Sequence, residues 1–141
     1  MEEVLKWLGI MLPLALAGMG SSIGCAISGT TLAGALPRAK SGHGALIAMA
    51  AAPSSQAIYG IVLMMSLMAA AATLTGGKAL AIGLPCGTGI MISAIYQGMC
   101  AASGIRATLD DKNVYGKCWI PIGITESFAV FAMVFGILAS R

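Results

Sequence analysis

The sequence predicts an all-α integral membrane protein with four transmembrane helices arranged as two duplicated hairpins. Three observations carry this reading. Of 141 residues, 58% are hydrophobic and 9% are charged, against about 25% charged in a soluble domain. The charges leave four apolar runs, 7–37, 41–77, 79–105 and 118–140, the last broken only by Glu126. Each run exceeds the roughly 20 residues that a helix needs to cross a hydrocarbon core. The second half also echoes the first. Gly24-Cys-Ala-Ile-Ser-Gly29 is answered by Gly98-Met-Cys-Ala-Ala-Ser-Gly104, and Ala57-Ile-Tyr-Gly-Ile-Val62 by Ala129-Val-Phe-Ala-Met-Val134. The offset is about 72–75 residues. Residues 1–75 are expected to form the first hairpin and 76–141 the second, which carries Glu126.

Span 1 is placed near 5–36. It follows Met-Glu-Glu, which lacks the basic region of a signal peptide, and its apolar run is too long for one, so it is expected to remain in the mature protein. Gly20, Gly24 and Ser28 form a small-residue stripe at every fourth position. Span 2 follows a basic turn and is placed near 44–74, and span 3 near 79–105, with a second stripe of Gly89, Ser93, Gln97 and Ala101. Span 4 is placed near 117–139. Spans 2 and 4 are bulkier, with Met64, Met65, Leu67, Met68, Phe128, Phe131 and Phe135. Lipid offers no solvent for backbone polar groups, so helices satisfy them within the segment. The ten-residue alternation of a β-barrel is absent.

Close helix contact is written into the composition. Almost a third of the chain is Ala or Gly, and small residues let helix backbones approach where hydrocarbon gives no hydrophobic drive. Small-residue helices inside and bulky ones outside suit a closed ring of copies. The same composition excludes a soluble fold, a nucleic-acid binder and a disulfide scaffold. Cys25, Cys86, Cys100 and Cys118 form no CxxC pair, so they read as small apolar packing residues. Turns 37–43 and 106–117 hold five of the eight Lys and Arg residues. That bias places both turns in the cytoplasm and both termini outside. Trp7, Trp119 and His43 mark span ends at the membrane interface; Asp110 and Asp111 read as solvated turn charges.

Glu126 lies nine residues beyond Lys117, about 13 Å along a helix. Inserting a charged acid near the bilayer centre costs about 2.5–3.5 kcal/mol. It is expected to stay protonated unless a cation compensates it, and no Lys or Arg lies in any of the four apolar runs. Span 2 carries Pro53-Ser-Ser-Gln-Ala-Ile-Tyr59, in which Ser55, Gln56 and Tyr59 share one helical face. Pro53 lacks an N–H and frees a nearby carbonyl. Gln97 lies at a depth close to that of Glu126. One carboxylate, two amide oxygens, a hydroxyl and a carbonyl make an oxygen cage with a single charge, which fits Na⁺ better than Ca²⁺ or Mg²⁺. Tyr59 suits a hydrogen bond that fixes the carboxylate.

These residues resemble the duplicated rotor proteolipid of V-type rotary ATPases (their c or K component), most closely its bacterial and archaeal sodium-translocating type. The strongest parts are Pro53-Ser-Ser-Gln-Ala-Ile-Tyr-Gly60, Gln97-Gly98 and Thr125-Glu-Ser-Phe-Ala129. The resemblance implies Ser55, Gln56, Gln97, Glu126 and the Ala52 carbonyl as ligands of Na⁺ or H⁺, with Tyr59 supporting the carboxylate. Where that type commonly has Thr, this chain keeps only the hydroxyl, as Ser55, and Ala129-Val-Phe-Ala-Met133 replaces a usual glycine. It further implies a rotor ring of identical subunits in lipid, in a bacterial or archaeal cell membrane. A stator subunit would supply an Arg, and a central-stalk subunit would dock on turns 37–43 and 106–117. The ring would couple ion flow to ATP hydrolysis or synthesis. The chain has no GxxxxGK[ST] loop, so nucleotide chemistry is expected on other subunits; no organic cofactor and no nucleic acid is implied. A proton-only rotor needs Glu126 alone and leaves the glutamines without a task. A small multidrug/proton antiporter matches in size, but its acid lies in the first span, where this chain has none.

Overall fold

The computed structural model describes residues 1–141. Five α-helices and two 3₁₀ turns build four long apolar spans. Helix α1 runs Glu2–Ala35; α2 (His43–Ala51) and α3 (Ser55–Ala69) make the second span, joined by a 3₁₀ turn at Ala52–Ser54. Helix α4 runs Gly76–Asp110, and α5 (Tyr115–Ser140) follows a 3₁₀ turn at Lys112–Val114. The two hairpins expected from the sequence are present. Their ends differ from expectation: α4 continues through Arg106 to Asp110, five residues past its expected end. Charge marks where a helix leaves hydrocarbon, not where its backbone bonds stop. The second span instead ends early, at Ala69, because Thr73 and Leu74 N–H both turn back to the Ala70 carbonyl.

Helices α1 and α4 touch backbone to backbone. A Cβ on Gly83 would fall on the Gly9 carbonyl, one on Gly20 on the Met91 backbone, and one on Gly98 on Gly24. Only glycine permits this approach, and close contact replaces the missing hydrophobic drive in lipid. The α1 stripe of Gly20, Gly24 and Ser28 is buried as expected. Most of the α4 stripe also packs closely, on α5. The residues facing α1 are Gly83, Gly87 and Gly98, whereas Gly89, Ser93 and Gln97 face α5, through Ala132, the Thr125 carbonyl and the Ile122 carbonyl. Helix α4 has small residues on two faces because two helices pack on it.

Helix α3 lies on α1, where a Cβ on Gly60 would strike Ala17 and the Pro13 carbonyl. The Met and Phe side chains expected outside are mostly there: Met65, Met68, Phe128, Phe131 and Phe135 are exposed. Leu67 departs from that reading, being fully buried with Ile10, Leu63 and Ile90. A second apolar cluster, centred on Met49, Ile105 and Ile122, lies nearer the 37–43 and 106–117 turns. At the other end the Glu2 carboxylate accepts the Gly76 N–H, and Thr75 Oγ1 accepts the Lys78 N–H at 3.2 Å, capping α4. All four cysteines are free and partly buried.

The second span breaks where Pro53 cannot donate. The Met49 carbonyl, four residues before Pro53, takes the Ala52 N–H instead, and the Ser28 hydroxyl donates to the neighbouring Ala50 carbonyl at 2.7 Å. Span 1 thereby fixes the break that presents Ser55 and Gln56.

Candidate ion site in the middle of the spans

Three helices bring polar side chains to one level, between the two apolar clusters. Along α4, Gln97 falls between Ile90 and Ala101; along α5, Glu126 falls between Ile122 and Ala129. Glu126 is near the midpoint of α5, far from either end. The Ser55 hydroxyl donates to Glu126 Oε1 at 2.8 Å, and the Tyr59 hydroxyl donates to the same oxygen at 2.6 Å. Both donors come from α3, one helical turn apart, so the sequence spacing itself aims them at one acceptor. Two donors on one oxygen fix the rotamer of the carboxyl group.

The glutamines form the deeper half of the cluster. Gln56 and Gln97 are both fully buried. Gln56 Nε2 donates to Gln97 Oε1 at 2.9 Å, and Gln97 Nε2 donates to the Ile122 carbonyl at 3.2 Å. This leaves Gln56 Oε1 buried with no hydrogen-bond donor. An orphaned buried acceptor costs about 1–3 kcal/mol, and a bound cation is one group that would satisfy it. The atoms in the cluster able to ligate a cation are all oxygens, as a hard monovalent cation requires.

All six residues singled out in the sequence lie in this region. Ser55, Tyr59 and Glu126 form one hydrogen-bonded group, and Gln56 and Gln97 form a second. The Ala52 carbonyl is not free of partners: it accepts the Ser55 N–H, and the Ser55 hydroxyl lies 3.0 Å from it. Two side chains were missed. Ser93 donates to the Thr125 carbonyl at 2.5 Å, beside Glu126, and Ser28 holds the Pro53 break. Ser93 is one turn before Gln97, so the i,i+4 polar face of α4 was a readable signal; small serines in an Ala/Gly-rich helix read first as packing.

Comparison with known proteins now places the chain in a class. Residues 8–67 and again 80–139 match the family of the C subunit of ATP synthase. The chain belongs to that family and carries its unit twice in tandem, as a multi-pass membrane protein with four membrane-capable helices. The A-type ATP synthase subunit K of Methanocaldococcus jannaschii is 30% identical over 135 residues, which is 96% of this chain and 61% of the relative. This chain thus spans about three-fifths of the length of that curated relative. The two matched stretches begin about 72 residues apart, a register that sets Ser54 opposite Glu126. The acid therefore occurs in one of the two hairpins.

Proposed function

We propose that this chain is the ion-carrying rotor subunit of a V/A-type ATPase, and that each four-helix copy carries one Na⁺. The buried, unpartnered Gln56 Oε1 within the Glu126 cluster is the observation that supports it most. The ligands are Glu126, the oxygens of Gln56, Gln97 and Ser55, and the Ala52 carbonyl; Tyr59 holds the carboxylate. Glu126 supplies the one negative charge, and the oxygens replace the hydration shell. The uncharged cage so formed can move through hydrocarbon, where a bare carboxylate could not. In a ring of copies each cage travels to a stator, where an Arg on that subunit competes for Glu126 and releases the ion. The stalk docks on turns 37–43 and 106–117, on the cytoplasmic side, and passes rotation to subunits that hydrolyse or make ATP. The chain itself performs no covalent chemistry in this reading.

Carbodiimide labelling of Glu126 tests the site, because the reagent attacks a protonated carboxyl. Labelling is expected at this residue, and Na⁺ is expected to suppress it more effectively as pH rises, since ion and proton compete for one carboxylate. Labelling indifferent to Na⁺ would leave a proton-carrying rotor; absence of labelling at every pH would remove the site. A second test separates the two ions. Gln97→Leu deletes a neutral oxygen and keeps the acid, so Na⁺ protection is expected to weaken about tenfold, the scale of one charge-assisted contact. Labelling without Na⁺ is expected to stay near the wild-type rate. Unchanged Na⁺ protection would exclude Gln97 from the cage.

A further inference from the structure

Two side chains of α4 hold the backbone of α5 beside Glu126. The Ser93 hydroxyl donates to the Thr125 carbonyl at 2.5 Å, and one turn further along α4 Gln97 Nε2 donates to the Ile122 carbonyl at 3.2 Å. Both side chains are buried: Ser93 is 5% exposed and Gln97 not at all. In an α-helix the Ile122 carbonyl takes the Glu126 N–H, and the Thr125 carbonyl belongs to the peptide that joins Thr125 to Glu126. Each carbonyl has a helical partner of its own in α5, so donors added from a second helix fix how α5 is turned about its axis. The first hairpin shows that this grip is not general packing of the repeat. In the 72-residue register of the matched stretches, Ser93 corresponds to Ser21, Gln97 to Cys25 and Thr125 to Pro53. Ser21 Oγ is buried without a hydrogen-bond partner, Cys25 is a free thiol, and Pro53 lies in the break of the second span. The grip therefore occurs only in the hairpin that carries the acid.

We infer that Ser93 is a positioning residue for Glu126: with Gln97 it clamps α5 in the rotation that turns the carboxyl group onto Ser55 and Tyr59 of α3. Side chains end about 5–6 Å from a helix axis, so a swivel of about 30° would carry the carboxyl about 3 Å. That displacement breaks the bonds of 2.8 and 2.6 Å that Oε1 accepts from α3. Helix α5 is weakest at this level, because Pro121, five residues before the acid, removes one of its hydrogen bonds. The α4 donors act on the segment that follows this gap. Glu126 is thus fixed from two helices, its side chain from α3 and its backbone from α4. Gln97 takes part twice, accepting from Gln56 through Oε1 and donating to α5 through Nε2. The consequence for transport rests on the ion-carrying reading of Glu126: loading and release proceed by movement of the Glu126 side chain while α5 keeps its rotation.

Two substitutions that differ only in a hydroxyl test the clamp. A cavity of about 350 Å³ lined by Ser93, Thr125 and Phe128 leaves room for a methyl group, so Ser93→Thr keeps the donor and Ser93→Val removes it at the same shape. In the assembled complex, Na⁺ protection of Glu126 against carbodiimide is expected to stay near wild type in Ser93→Thr. In Ser93→Val it is expected to fall about fivefold, the scale of one hydrogen bond, with both variants melting alike. Ser21→Ala, at the equivalent position of the first hairpin, is expected to be protected as wild type. A second readout needs no ion. A Cβ on Gly89 would lie 3.4 Å from the Ala132 Cβ, close to disulfide geometry. With the four native cysteines replaced by alanine, Gly89→Cys and Ala132→Cys are expected to form an intrachain disulfide under mild oxidation. Adding Ser93→Val is expected to slow that bond, and adding Ser93→Thr is not. Equal disulfide rates in the Thr and Val variants would overturn the inference, as would equal Na⁺ protection in the two. If Na⁺ fails to protect even the wild type, the sodium reading falls and the disulfide rates alone decide the clamp.

Discussion

Glu126→Gln is expected to abolish ion transport while the four helices stay packed. The substitution keeps the shape and an oxygen that can still accept from Ser55 and Tyr59, the two donors now 2.8 and 2.6 Å from Oε1. It removes the only acid within the four apolar runs. A buried charge left without its partner costs about 3–5 kcal/mol, so affinity for Na⁺ falls by more than about a hundredfold. Packing rests elsewhere, on the α1–α4 glycine contacts and the two apolar clusters. Ion uptake by vesicles containing the assembled complex is therefore expected at background, with the variant subunit present at wild-type level and melting temperature. Uptake near the wild-type rate would end the reading of Glu126 as the carrier. Loss of the folded subunit would instead show that the carboxylate is part of the packing.

The spans and most of the central cluster were legible because polar side chains stand out against hydrocarbon-compatible sequence. Glu126, Gln56 and Gln97 each lie in an otherwise apolar run, and matching depths along ideal helices brought Gln97 level with Glu126; Gln56, 13 residues past His43, read as deeper, and the fold brings it to Gln97 at 2.9 Å. Ser55 and Tyr59 followed from the i,i+4 geometry of α3. Orientation within the Ala/Gly-rich helices was far less legible. In α4 small residues occupy two faces, so the stripe through Gly89, Ser93 and Gln97 gave no indication that Gly83, Gly87 and Gly98 meet α1 instead. The fate of the carbonyls around Pro53 was also hidden. A proline announces that the carbonyl four residues back loses its donor, but only the fold shows that the Ala52 N–H takes its place on Met49 and that Ser28, on another helix, donates to Ala50 at 2.7 Å.

The seam between α1 and α4 gives the second large effect, and it ties packing to the ion site. A Cβ on Gly98 would meet the Gly24 carbonyl oxygen, Cα and carbonyl carbon. All three are backbone atoms that no rotamer change can move aside, so Gly98→Ala must push the helices apart. Overpacking of this kind costs about 1–3 kcal/mol, against the roughly 1 kcal/mol that Ala gains over Gly in an exposed helix interior. The displacement falls next to the glutamines, because Gly98 adjoins Gln97 and a Cβ on Gly24 would lie 2.9 Å from the Pro53 Cβ. Gly98→Ala is therefore expected to lower the melting temperature in detergent and also to weaken Na⁺ protection of Glu126, though it touches no ligand. Gly29→Ala, on the same α1 but with open space around its Cβ, is expected to leave both readouts at or above wild type. A Gly98 variant that melts lower yet keeps full Na⁺ protection would uncouple the seam from the cage. The Gln56–Gln97 contact would then be held in register by α3 and α5 alone.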